Sequence, residues 1–232
     1  MRISAVTIAG FLLLGVAPEC RGEGSESKEA QRLVACEQVL TEVLGMPESI
    51  PRDLLDKAAC VIVIPSVKKA AFGFGARWGK GAGLCRKKAP EVGWSAPLMM
   101  SIGGGSLGLQ IGGQATDYVL LVMNERGMGS LLKSKFTLGA DASVAAGPKG
   151  RTTSAATDAQ MRAEILTYSR SRGVFAGVSI EGAVLKRDDG ANKKVYGEPV
   201  GAQALLFEGR YPVPAAAKRL VDALGNYSPA GP

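Results

Sequence analysis

The apolar positions change period along this chain, and the changes mark its elements. Over Glu26–Leu44 they recur at Leu33, Cys36, Leu40 and Val43–Leu44, the spacing of one helix face. Ser25 or Ser27 supplies a cap, and Gly45 followed by Pro47 supplies the stop. A shorter helix is predicted over Pro51–Ala59, with proline in its first turn and Leu54, Leu55 and Ala58 turned inward. At Cys60 the texture becomes that of strands. CVIVIPSV is β-branched, and 71–87 alternates small with large residues. The runs 94–102, 106–114 and 117–124 continue the pattern between Gly- or Pro-containing turns, as in antiparallel meanders. Glu125–Lys133 fits one short helix, and 135–148 returns to strand. Thr157-x-x-Gln160 has the form of a capping box. Residues 164–187 nevertheless read as a β-hairpin turning at Ser171–Gly173, with a helix over 158–171 as the alternative. Val213–Leu224 forms a closing amphipathic helix.

Glycine inside a strand marks a bulge, tight curvature or close backbone approach. With 31 glycines in 232 residues, the predicted fold class is α+β. It has N-terminal helices, a strongly curved Gly-rich antiparallel β-sheet or small barrel of eight or more strands, and a short C-terminal helix.

The first residues read as an address. Arg2 precedes an apolar run, 3–17, shorter than the ~20 residues that span a bilayer but matching a signal-peptide core. This predicts a signal peptide over 1–22, a single domain over 23–232, and an exported protein, periplasmic or membrane-associated. Cys20 follows Glu19, not the small residue that a lipidation signal requires.

Hydrophobic residues make up 46% and charged residues 21%, enough to build a core. Histidine is absent, which removes Ser-His-Asp and Cys-His nucleophiles, His-ligated zinc and proximal-His haem. Asp117, Asp141 and Glu181 lie in or beside strand-like runs, where bonding to backbone N–H groups or pairing with arginine is the expected role. Glu181, within FAGVSIEGAVL, would need a partner if both sheet faces are covered. Gly103–Gly108 satisfies GxGxxG, but an alternating strand pattern follows in place of the helix a dinucleotide site needs. Gly75–Lys80 is one residue short of a phosphate-cradling loop and lacks its Ser/Thr. The reading is therefore non-enzymatic, with no catalytic residue, metal or cofactor. Cys60 and Cys85 fall in one local meander and are a candidate disulfide, with two buried thiols as the alternative; Cys36 lies on an apolar helix face.

Charge is unevenly spread. Residues 23–57 carry four basic and eight acidic side chains, and 58–232 carry twenty-two and twelve. A basic body favours phosphate-bearing surfaces. Nucleic acid is disfavoured, because the few aromatics are not interleaved with the cations. The densest cations beside the glycine-rich meander are Lys68, Lys69, Arg77, Lys80, Arg86, Lys87 and Lys88. They form the candidate lipid-binding set, each worth ~1 kcal/mol near an anionic membrane.

Trp94-Ser95-Ala96-Pro97, IGGGSLGLQIGGQATDYVLLVMN, KFTLGADASVAAGPKGR and TYSRSRGVFAGVSIEGAVLKRDDGANKKVYG occur in that order. Together they closely resemble the SYLF-domain family, over about 28–225, in the manner of its bacterial exported branch. The resemblance implies a non-enzymatic domain that binds phosphoinositides or other anionic phospholipids, with actin binding in the yeast members. In eukaryotic members an N-terminal basic amphipathic segment contributes. The matching stretches here, Lys28–Leu44 and Ile50–Ala58, lie in the net-acidic part, which shifts the expected membrane contact to cations of the body. A protein partner without lipid selectivity is the alternative function.

Overall fold

The computed structural model describes residues 26–72, 74–87, 91–107, 112–150, 160, 162–171 and 173–229. The expected leader 1–22 with Cys20, together with Lys88 and Thr157, lies outside them. In chain order the elements are α1 (Lys28–Leu44), α2 (Arg52–Lys57), β1 (Cys60–Phe72), β2 (Phe74–Cys85), β3 (Leu98–Leu107), β4 (Gly112–Val122) and α3 (Glu125–Leu132). There follow β5 (Lys135–Thr137), β6 (Val144–Ala146), β7 (Ile165–Ser171), β8 (Val174–Gly177), β9 (Val184–Arg187), α4 (Asp189–Tyr196), α5 (Ala202–Leu206) and α6 (Lys218–Tyr227).

The strands form one strongly curled sheet in the order β5-β9-β3-β2-β1-β4-β7-β6, with β8 also on β7. Every pairing is antiparallel except β6 with β7. Strand alternation sends successive side chains to opposite faces. Val61, Val63, Leu84, Val119 and Tyr168 meet Leu33, Cys36 and Leu40 of α1, Leu54 of α2 and Leu224 of α6. Cys60, Ile62, Ile64, Met100 and Ile102 meet Phe136, Leu185, Leu131 and Leu205 on the other side. The sheet is thus sandwiched between two apolar layers, hereafter the α1 face and the inner face.

α1 begins where Ser27 accepts a hydrogen bond from the Ala30 N–H, and Gly45 ends it, as the sequence pattern predicts. β1 is interrupted by a bulge, between Val63 and Lys68 in its pairing with β2 and between Ile64 and Val67 in its pairing with β4. Ser66 there has φ +48°, and its N–H donates to Asp117 Oδ1 at 2.8 Å. The bulge also explains how Pro65 is tolerated in a central strand. Both Ile64 and Val67 face the inner layer, so the alternation of β1 shifts phase at this point.

Cys60 and Cys85 are register partners at the start of the β1–β2 pair and form a disulfide, while Cys36 is a buried free thiol. Burial pushes the Cys36 thiol up to about 12, so it stays protonated and packs as an apolar group. The disulfide spans 25 residues. Its removal in Cys60→Ala/Cys85→Ala is expected to cost about 3 kcal/mol by loop entropy. A thermal melt of the variant against the parent, each with and without reductant, checks this: only the parent should respond to reductant.

Two features differ from the sequence pattern. SLGLQIGGQ is not a strand of its own: β3 runs through Gly103-Gly104-Gly105 without turning and takes in Ser106 and Leu107, while Gly112–Gln114 open β4. α4 and α5 lie between the predicted hairpin and the closing helix, where the sequence pattern marks no element. α4 has its cap, with Asp188 accepting from the Ala191 N–H, and its stop, with Gly197 at φ +81°. What holds it is tertiary: the buried Asn192 amide exchanges two hydrogen bonds with the Met99 backbone, at 2.8 and 3.1 Å, on β3.

Candidate anionic-surface site

Register partners on neighbouring strands project to the same face. Lys68 lies opposite Trp78 on β2 and opposite Ala115 on β4, and Ala70 lies opposite Ala76. All five are exposed, Trp78 at 49%. Lys80, two residues from Trp78, shares this face and lies 3.4 Å from Asp188, which also accepts from Arg32 of α1 at 3.0 Å. This identifies the surface as the continuation of the α1 face. Lys69, Arg77 and Gln114 are register partners on the inner face.

The seven expected cations therefore do not converge. Lys68 and Lys80 share one face of the β1–β2 end, and Lys69 and Arg77 share the other. Arg86 and Lys87 stand past the opposite end of β2, about 30 Å from Arg77 at ~3.3 Å per residue. Lys87 pairs with Glu91 at 3.0 Å, and Lys88 lies outside the described residues.

Arg86, expected as a surface cation, is half-buried and held by its neighbours. Its Nε donates to the Ala58 carbonyl at 2.9 Å, and its terminal nitrogens donate to the carbonyls of Leu55 at 3.0 Å and Ser228 at 3.2 Å. The Ser228 hydroxyl bridges to Asp56, and the guanidinium stacks 4.4 Å from the Trp94 ring centre. Burial lowers the Arg86 pKa and the Asp56 charge opposes that, so the group stays cationic while holding α2, β2 and the C-terminal segment together.

The carboxylates have structural roles. Asp117, on the α1 face, accepts from the Ser66 N–H and from Arg170 at 2.7 and 3.0 Å, and Arg170 also meets Glu42 of α1. Asp141 accepts from the Thr137 N–H at 2.7 Å. Glu181 is not buried; it is exposed in the turn before β9, beside Gly139. Asp188 titrates differently from an isolated carboxyl. Burial pushes its pKa up, but the Ala191 N–H, Arg32 and Lys80 outweigh burial and hold it below the usual value. A depressed carboxyl stabilises the fold above its unfolded pKa, and the contribution is lost as pH falls through the folded value. Asp188→Asn should therefore cost about 1 kcal/mol at pH 7, with melting curves of variant and parent converging below the ordinary carboxyl range.

Sequence reasoning missed Trp78 as part of the site. The period-two signal Trp78-x-Lys80 was present, but the bulge at Ile64–Val67 hides which β1 lysine shares their face.

The family model described as "Las17-binding protein actin regulator", Ysc84, matches residues 103–227. The chain belongs to the Ysc84, or SYLF-domain, family. It is 35% identical over 219 residues to LAS seventeen-binding protein 3 of Saccharomyces cerevisiae, covering 91% of this chain and 47% of that protein. It is 34% identical over 205 residues to human SH3 domain-containing YSC84-like protein 1, covering 88% and 59%. Protein YSC84 of S. cerevisiae is 35% identical over 210 residues, covering 89% and 44%. The chain thus spans about half the length of these Ysc84-family relatives. Among the described residues, no helix is long and apolar enough to cross a membrane.

Proposed function

We propose that the open end of the β1–β2 pair binds the surface of an anionic phospholipid membrane. The exposed Lys68–Trp78 cross-strand pair carries this reading. Tryptophan beside lysine suits the headgroup region, where an indole sits at the interface and an ammonium meets phosphate. The flanking Ala70, Ala76 and Ala115 are exposed and too small to hold a bilayer away from the pair. Lys80 adds charge, reduced by its contact with Asp188. An exported setting belongs to the same proposal and makes phosphatidylglycerol or cardiolipin the natural ligands.

Tryptophan emission tests it. The chain has two tryptophans, and Trp94 is only 2% exposed. A blue shift on adding phosphatidylglycerol vesicles should therefore come from Trp78 and vanish in Trp78→Phe. Lys68→Glu reverses one charge, a change of about 2 kcal/mol, and should weaken partitioning about thirtyfold. An unchanged spectrum in the parent would sink the reading.

The names of the relatives favour a second reading, in which the same cations meet an acidic protein surface. It predicts a saturable complex with a protein partner, abolished by Lys68→Glu, and no discrimination between anionic and neutral vesicles.

A further inference from the structure

The three arginines on strands are not treated alike. Arg170 on β7 is neutralised by Asp117 and Glu42, and Arg187 on β9 by Asp189. Among the described residues, Arg77 on β2 pairs with no carboxylate and its buried Nε meets no hydrogen-bond partner. A guanidinium whose Nε–H is withdrawn from water and unpaired carries a cost that an incoming acceptor removes. The Nε edge is also the one that grips an oxyanion with two parallel hydrogen bonds.

The surroundings suit an oxyanion. On the inner face Arg77 lies between Lys69 on β1 and Gly104 on β3. Gly104, at φ +157°, has no side chain to shield the guanidinium, and a Cβ there would approach the Gly182 carbonyl and Ala183 Cα at 3.3 Å. The turn before β9 therefore walls one side. Lys69 continues the row to Gln114, whose amide donates to the Ser171 hydroxyl at 2.9 Å, so polar side chains cross four strands on this face.

We infer that Arg77 and Lys69 form a binding site for a phosphomonoester oxyanion, gripped through the Arg77 Nε edge with Lys69 as a flanking charge. The site is on the face opposite the Lys68–Trp78 surface. The identification of a lipid headgroup as its source rests on the proposed membrane reading; the phosphate site itself does not.

The test titrates the full chain with inorganic phosphate by calorimetry at low ionic strength. In a second arm it measures binding to phosphatidylcholine vesicles with and without phosphatidic acid. Arg77→Met should lower phosphate affinity at least tenfold while leaving Tm equal to or above the parent's. Arg77→Lys, which keeps the charge but not the fork, should recover only part of the affinity. Dependence on Arg77 in both arms makes a lipid headgroup the source; dependence in the phosphate arm alone makes it a soluble phosphoester. Lys68→Glu/Trp78→Ser should lose vesicle binding and keep phosphate binding, whereas vesicle binding retained by that variant overturns only the membrane reading. The phosphate site is overturned if the parent shows no saturable phosphate binding, or if Arg77→Met binds phosphate within twofold of the parent.

Discussion

Gly81→Ala is expected to leave little folded protein. A Cβ at Gly81 would stand 1.9 Å from the Val63 carbonyl oxygen and 2.7 Å from the Ile64 Cα, both backbone atoms of the neighbouring central strand. No rotamer relieves a backbone clash, so β1 and β2 would have to separate where both apolar layers meet the sheet. The expected cost exceeds about 4 kcal/mol, beyond the range of ordinary substitutions. Gly129→Ala in α3 is the control: a Cβ there meets nothing within 4 Å, and alanine should gain up to about 1 kcal/mol of helix propensity. Urea unfolding of both variants checks the contrast. Equal midpoints would contradict the close approach of β1 and β2.

Arg86→Ala is the second large effect. It removes the donor shared by the Leu55, Ala58 and Ser228 carbonyls and the cation over Trp94, and it leaves Asp56 facing Ser228 without a countercharge. Breaking a buried charged network from one side costs about 3–5 kcal/mol, and the partial exposure of this one points to the lower half of that range. Arg86→Lys should recover little, because one ammonium cannot span three carbonyls in different directions. Equilibrium unfolding measures both variants. A loss under 1 kcal/mol in Arg86→Ala would restore Arg86 to the surface set. Tryptophan emission should also shift red in both variants as Trp94 loses its cover.

Legibility in the sequence followed locality. α1, the antiparallel β7–β8 pair, the α3 helix and the closing α6 helix are written in spacing, turn and capping residues close to one another, so each was readable. The curved Gly-rich sheet was readable for the same reason. α4 was not, because Gly190 and Asn192 are poor helix formers and the decisive contact of Asn192 is with Met99, on a strand 93 residues away. Arg86 shows the same limit: three consecutive cations read as a surface cluster, whereas its partners come from α2 and from Ser228. The candidate site was half legible. Lys68, Lys69, Arg77 and Lys80 fall in strand-like runs, but their division between two faces depends on the β1 bulge, which Pro65-Ser66 hints at and only the register decides.

The most direct measurement is co-sedimentation of the protein with phosphatidylglycerol-rich and with neutral phosphatidylcholine vesicles, at low and high salt, beside the Lys68→Glu/Trp78→Ser variant. Pelleting is expected with the anionic vesicles only, lost at high salt as the Debye length shrinks, and lost in the variant at any salt. Equal pelleting with both kinds of vesicle, or a variant that pellets like the parent, would contradict the membrane reading.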